Sequence, residues 1–231
     1  MLIACWSAKG GSGTSVVAAA LGLVLASRVV DDVLLVDLAG DLPAVLGRRS
    51  GAADERAGIA EWLSAGPADA DALRRLEVAA APGLRLLARG APLDGRSAAD
   101  GNELLPALGD GLPAGVRGGR PVVVDAGVPS VDGLAAAVVA GAAMSLLVLR
   151  PCYLALRRAV DLSSSVRASG AVVIDEMGRA LRRADIEDAL GVPVLAMVRA
   201  CPEVARAVDA GLLSSRLPRA IASPLRKVVA A

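Results

Sequence analysis

The stretch SAKGGSGTSVV, residues 7–17, decides the fold of this 231-residue chain. It follows an apolar run, LIACW at 2–6, and leads into a second apolar run without proline. A strand, a glycine-rich turn and a helix in this order predict backbone N–H groups that face an anion at a helix N-terminus. The usual phosphate-binding loop, G-x-x-x-x-G-K-[ST], carries a lysine after its last glycine. Here that position is Thr14, and the nearby Lys9 precedes the glycines.

Short apolar runs alternate with helical segments along the rest of the chain. This pattern predicts an α/β fold, a mostly parallel sheet with helices on both faces. Further strands are predicted at 33–37, 83–90, 121–127, 145–151, 170–174 and 192–198. Helices are predicted at 15–27, 57–66, 153–168, 181–190, 203–213 and 217–229, with a glycine-rich connection around 109–119. No internal repeat or low-complexity linker interrupts the pattern, so we expect one domain over residues 1–231.

The composition excludes several classes of function. The chain has no histidine, which removes His-based catalytic triads and the commonest metal ligand. Its three cysteines lack C-x-x-C spacing, so we expect buried, reduced thiols rather than disulfides or a zinc site. The apolar runs at 10–27 and 133–149 are interrupted, and neither resembles the ~20 apolar residues of a membrane span. Without a charged leader at the N-terminus, the chain is expected to be cytoplasmic, with no stable membrane insertion.

The charge is unevenly distributed. From Arg150 to the end, the chain carries 13 basic and 8 acidic residues, whereas the net charge of all 231 residues is +1. A basic C-terminal third can attract polyanions such as DNA, but an ordinary solvated helical surface is the better explanation of this weak signal. The sequence therefore predicts weak DNA binding at most.

Two aspartates end apolar strands. Asp37 closes VLLVD and Asp125 closes PVVVD. Because open parallel sheets place their ligand sites at the carboxyl ends of strands, both side chains are expected near the glycine-rich loop. Carboxylates there can hold Mg²⁺ beside phosphates, and the Ser15 hydroxyl is placed to join them. The alternative, a tight strand-to-helix turn without a ligand, does not explain this convergence.

These segments resemble a known family. KGGSGTS, with its leading lysine, is similar to the deviant Walker A motif of the ParA/MinD family of P-loop ATPases. VLLVDLAGDLPAVLG at 33–47 resembles the family's switch I region, and PVVVDAGVPS at 121–130 resembles its Walker B and switch II segment. VLRPCYLALRRAV and VARAVDAGLLSSRLPRAI are similar to segments that follow in that family. The resemblance spans nearly the whole chain and is closest to the CpaE/TadZ-like branch, whose members position pilus or septum machinery.

The resemblance implies ATP and Mg²⁺ as ligands. It assigns Mg²⁺ to Ser15, Asp37 and Asp125, and candidate catalytic roles to Lys9 and Asp37. In this family the leading lysine reaches the nucleotide of a partner subunit, which implies an ATP-dependent homodimer. The implied nucleotide-binding residues are Lys9, Gly10, Gly11, Ser12, Gly13, Thr14 and Ser15.

Three departures from the family pattern concern catalysis. Thr14 replaces the loop lysine, and Ala39 stands where active members carry a water-positioning carboxylate; Asp41 is close, but its offset is wrong. The strand GAVVIDE lacks the asparagine usually found near adenine, with Ile174 and Asp175 in that neighbourhood. A lost lysine–phosphate contact costs about 1.5–3 kcal/mol of binding, whereas one cation can be worth ~10³–10⁵ in phosphoryl-transfer rate.

The sequence therefore predicts an ATP-binding positioning scaffold with weak or absent hydrolysis, which acts on a protein partner. Two alternatives stay open. One is a slow ParA-type ATPase that partitions chromosomes or plasmids and binds DNA non-specifically. The other is a pseudo-ATPase interaction module that binds no nucleotide.

Overall fold

The computed structural model describes residues 1–29, 32–48, 57–66, 69–109 and 119–229. One eight-stranded sheet lies at the centre of this part of the chain. Its strands are β1 (Leu2–Trp6), β2 (Val33–Asp37), β3 (Val78–Ala81), β4 (Leu84–Leu87), β5 (Val122–Gly127), β6 (Met144–Leu149), β7 (Gly170–Asp175) and β8 (Val194–Arg199). Their order is β3-β4-β2-β5-β1-β6-β7-β8, and all neighbours are parallel except β3 and β4. The predicted α/β class and mostly parallel sheet are confirmed.

Helices connect most of these strands. In the described residues they are α1 (Thr14–Ala26), α2 (Leu42–Val45), α3 (Ile59–Ser64), α4 (Ala70–Arg75), α5 (Ala98–Gly109), α6 (Leu134–Ala140), α7 (Tyr153–Ser163), α8 (Arg183–Leu190), α9 (Pro202–Asp209) and α10 (Arg219–Val228). Each predicted helix is present, although most are shorter than predicted. The predicted connection around 109–119 falls mostly outside the described residues. Among the residues that the structure does describe, no helix has the length and apolar character needed to cross a membrane.

The edge strand β3 was not predicted from the sequence. Its sequence, VAAA, pairs antiparallel with β4 with an irregular register. Alanine has a low β-propensity, so this segment shows no strand signal of its own. It pairs because the tight turn at Gly83, whose φ is +69°, makes β4 run back alongside β3.

Alternate residues of each central strand pack on opposite faces of the sheet, because side chains in a strand point alternately to each side. On β1, Ile3 and Cys5 face the cluster that contains α1, α2 and α10, whereas Ala4 and Trp6 face the cluster that contains α3 and α5–α8. The Nε1 of Trp6 donates to Ser145 Oγ at 2.8 Å, which satisfies the indole within the core. Both faces are therefore covered, and both cores consist mainly of Ala, Val and Leu.

All three cysteines are free, as predicted. The prediction that all are buried is wrong for two of them, because only Cys5 is buried. Cys152 and Cys201 occupy the N-cap positions of α7 and α9, where a helix begins at the protein surface, and both are partly exposed.

Candidate functional site

The glycine-rich loop joins the end of β1 to the start of α1. Its backbone needs glycine at two positions, because Gly11 and Gly13 have φ +77° and +89°. The hydroxyl of Ser12 donates to the carbonyl of Lys9 at 2.7 Å and holds the loop closed. Gly13 is the N-cap of α1 and provides no side-chain cap, so this helix N-terminus is open to an anion.

The two predicted carboxylates lie side by side. Asp37 and Asp125 are register partners on β2 and β5, and both are fully buried. Burial raises the pKa of Asp125 to about 7; the Ser15 hydroxyl opposes this shift, and the charge of Asp37 adds to it. Burial likewise raises the pKa of Asp37 to about 6. Cys5 lies beside Asp125 on β1, and burial raises its pKa well above the usual range.

The hydrogen bonds of the two carboxylates differ. Asp37 accepts from the backbone N–H groups of Gly40 at 2.6 Å and Leu42 at 3.2 Å, so both of its oxygens have partners and shape the turn of residues 38–42. Among the described residues, Asp125 accepts a hydrogen bond from the Gly127 N–H at 3.1 Å, and, against the effect of burial, the nearby Ser15 hydroxyl acts to lower its pKa. Its Oδ2 is buried and has no partner among the described residues. Such an oxygen fits a divalent cation, which would satisfy it and favour the ionised carboxylate.

A cavity of about 880 Å³ opens above these aspartates. The loop residues from Gly10 to Ser15 line it, together with Ala39 and Asp41 from the turn that follows β2. Its volume lies within the range of small-molecule and cofactor sites. Lys9 is exposed and does not belong to the cavity lining. The structure therefore brings the predicted residues 10–15 to one cavity, whereas Asp37 and Asp125 are buried beside it and Lys9 lies outside its lining.

Two of the residues that depart from the family pattern, Thr14 and Ala39, line this cavity. Thr14 begins α1 and is 7% exposed. Ala39 lies close to Gly127 at the end of β5, since a Cβ added to Gly127 would be 3.1 Å from the Cβ of Ala39. Ile174, on β7, does not line the cavity, and its Cγ1 would be 3.8 Å from a Cβ added to Gly13.

The cavity also contains a basic residue, Arg89, that was not predicted. Arg89 follows β4, and its Nη1 donates to the carbonyl of Ala39 at 2.5 Å. It lies fifty positions from Ala39 along the chain. The sequence did contain a signal for Arg89. It is a basic residue just after a buried strand, at the same end of the sheet where Asp37 and Asp125 end their strands.

No protein-family model matches the chain, and neither does any curated protein. Solved structures do match. A ParA family ATPase from Chlorobium tepidum TLS superposes with TM-score 0.76 at 20% identity, covering 100% of this chain and 97% of the other. MinD from the Aquifex aeolicus MinC:MinD cell division complex gives 0.73 at 21% identity, with 100% and 96% coverage. The fold is that of the ParA and MinD ATPases.

A third structure with this fold contains nucleotide. It is the septum site-determining protein MinD from Pyrococcus horikoshii OT3, complexed with Mg-ADP. It matches with TM-score 0.70 at 18% identity, covering 98% of this chain and 93% of the other. At these identities, the likeness establishes the ParA/MinD fold for this chain, and the chemistry must be argued from its own residues.

Proposed function

We propose that the protein, as a single domain over residues 1–231, binds Mg-ATP and acts as a ParA/MinD-like positioning scaffold of CpaE/TadZ type. The machinery that it positions would be that of a pilus, a septum or a partition system. The observation that carries this proposal is the pair Asp37 and Asp125, buried side by side beneath an uncapped helix N-terminus. A buried carboxylate with an unpaired oxygen is costly without a cation, and the open N–H groups favour phosphate.

We infer weak or absent ATP hydrolysis. The loop amides, Ser15 and Asp125 can hold phosphate and Mg²⁺ without the lysine that Thr14 replaces. The methyl group of Ala39 cannot orient water. Since positioning the nucleophile and neutralising charge provide nearly all catalysis in phosphoryl transfer, these two replacements reduce the rate far more than the affinity.

Nucleotide binding without turnover suits a protein that signals through its partners. Lys9 is exposed outside the cavity and so is available to the nucleotide of a second subunit, which supports the proposed ATP-dependent homodimer. The MinC:MinD complex is an example of this fold bound to another protein. We therefore propose a protein partner from a positioning or secretion system.

A second candidate, a slow ATPase in partition that binds DNA, is favoured by one surface. Arg157 and Arg158 are both exposed on α7. Two arginines give little affinity for duplex DNA at physiological salt, because non-specific binding grows with the number of phosphates neutralised. This candidate therefore ranks below the scaffold.

Calorimetric titration with Mg-ATP and Mg-ADP, followed by a phosphate-release assay on the same sample, tests the proposal. We expect both nucleotides to bind and phosphate release to stay at the background of a nucleotide-only control. Asp125→Asn is the matched variant, because it removes the proposed metal ligand without changing side-chain size. Turnover comparable to that of an ordinary ParA-type enzyme would favour the second candidate. No binding by wild type would leave a nucleotide-free interaction module.

A further inference from the structure

Arg89 has an unusual environment for a cavity residue. Its side chain is partly buried, and its Nε is buried without a hydrogen-bond partner among the described residues. The guanidinium lies against the backbone of Gly40, which has φ +97°, and any Cβ at that position would collide with it. The hydrogen bond to the carbonyl of Ala39 is to a neutral acceptor. The fold thus holds a guanidinium against the turn of residues 38–42 and leaves part of its hydrogen-bonding capacity unused.

The positive charge of Arg89 also lacks a counter-charge of its own. Arg89 and Arg96 are the basic residues that line the cavity in the described part of the chain. Arg96 pairs with Asp100 at 3.1 Å, whereas Arg89 forms no ion pair with a described residue. Burial raises the pKa of Asp37 and the charge of Arg89 opposes that rise, but both oxygens of this carboxylate already accept backbone N–H groups. An unpaired guanidinium in a cavity is suited to an anion with several oxygens.

The strand order indicates which part of a nucleotide Arg89 would meet. In the sheet, β5, β2 and β4 lie on one side of β1, and β7 lies on the other. Mg²⁺ held by Asp125 on β5 would neutralise charge on the last phosphates of a triphosphate, so we expect that end of the nucleotide on the β5 and β2 side of β1. The guanidinium of Arg89 reaches Ala39, directly beyond β2.

We propose that Arg89 supplies the phosphate-binding cation that Thr14 lacks, by donating to the terminal phosphate of a nucleoside triphosphate. This inference rests on the proposed function. It adds a specific property to it: the site distinguishes triphosphate from diphosphate through Arg89. Because the same guanidinium holds the carbonyl of Ala39, contact with the terminal phosphate also links the turn of residues 38–42 to the state of the nucleotide.

The test compares Mg-ATP and Mg-ADP affinities by calorimetry. Arg89→Gln is expected to weaken Mg-ATP binding about ten- to a hundredfold, the effect of losing one charge-assisted bond. Mg-ADP binding is expected to change by about threefold or less. Arg157→Gln, which removes the same charge from the exposed face of α7, is the control and should change neither affinity. Adding Thr14→Lys to Arg89→Gln should restore Mg-ATP binding, since it returns a cation to the loop.

Each other outcome has a definite meaning. If wild type binds Mg-ATP and Arg89→Gln binds it equally well, the Arg89 assignment fails while the proposed function stands. Equal weakening of both nucleotides would show that Arg89 only shapes the turn of residues 38–42, which also overturns the inference. If wild type binds neither nucleotide, the proposed function fails and the assignment fails with it. Arg89→Lys keeps the charge and should retain part of the preference for ATP, which guards against a folding defect in Arg89→Gln.

Discussion

Replacing Asp125 by asparagine should stabilise the protein in the absence of ligand. Burial raises the pKa of Asp125 from 3.8 to about 7. At 1.36 kcal/mol per pKa unit, keeping this group ionised at pH 8 costs the folded state about 4 kcal/mol at most. The amide of asparagine is itself a buried polar group with incomplete hydrogen bonding, at a cost of about 1–3 kcal/mol. We therefore expect a net gain of about 1–3 kcal/mol in the free energy of unfolding at pH 8.

The pH dependence provides a second readout. The folded-state pKa of Asp125 lies above its unfolded value, so between about pH 4 and pH 7 the folded state binds more protons than the unfolded chain. The stability that this protonation contributes is present at the acidic end of the window and is lost as the pH rises. Urea unfolding followed by circular dichroism from pH 5 to pH 8 should show this loss in wild type and a smaller slope in Asp125→Asn.

Asp37→Asn is the matched control for this prediction. Both oxygens of Asp37 accept backbone N–H groups, so an amide there leaves one N–H without its acceptor. We expect no gain in stability from this variant, despite the similar burial of the two side chains. The reasoning is refuted if Asp125→Asn is less stable than wild type at pH 8, or if its slope with pH equals that of wild type.

Three further predictions concern other parts of the molecule. Lys9→Ala should abolish ATP-dependent dimerisation and leave the monomer folded, because Lys9 is an exposed loop residue. Sedimentation velocity with and without Mg-ATP tests this. A mutant that still dimerises with Mg-ATP would contradict it. Duplex DNA should bind weakly at about 150 mM salt, as measured by fluorescence anisotropy. Strong binding that falls steeply with salt would contradict this, and the slope would give the number of phosphates neutralised. Gly47→Ala should lower the melting temperature, since its Cβ would collide with the carbonyl oxygen of Gly211 and its φ is +75°; an unchanged melting temperature would show that this contact yields easily.

The order of strands and helices could be predicted because it depends on local patterns. VLLVD and PVVVD are apolar along their length, which indicates strands covered on both faces, and the observed bounds differ from the predicted ones by a few residues at most. The position of the aspartates at the strand ends followed from the same pattern. The segment VAAA could not be assigned, because its pairing depends on the neighbouring strand β4 and not on its own residues.

By itself the sequence determined the α/β class, the glycine-rich loop and the convergence of Asp37 and Asp125 at one edge of the sheet. It did so because side-chain period, glycine conformation and the direction of parallel strands are properties of short segments. The tertiary structure alone decided that Asp125 Oδ2 has no partner within the described part of the chain, that Lys9 lies outside the cavity lining, and that Arg89 reaches Ala39 from fifty positions away. These features depend on strand order and on packing between distant segments, where burial and the supply of hydrogen-bond partners are set by the whole fold.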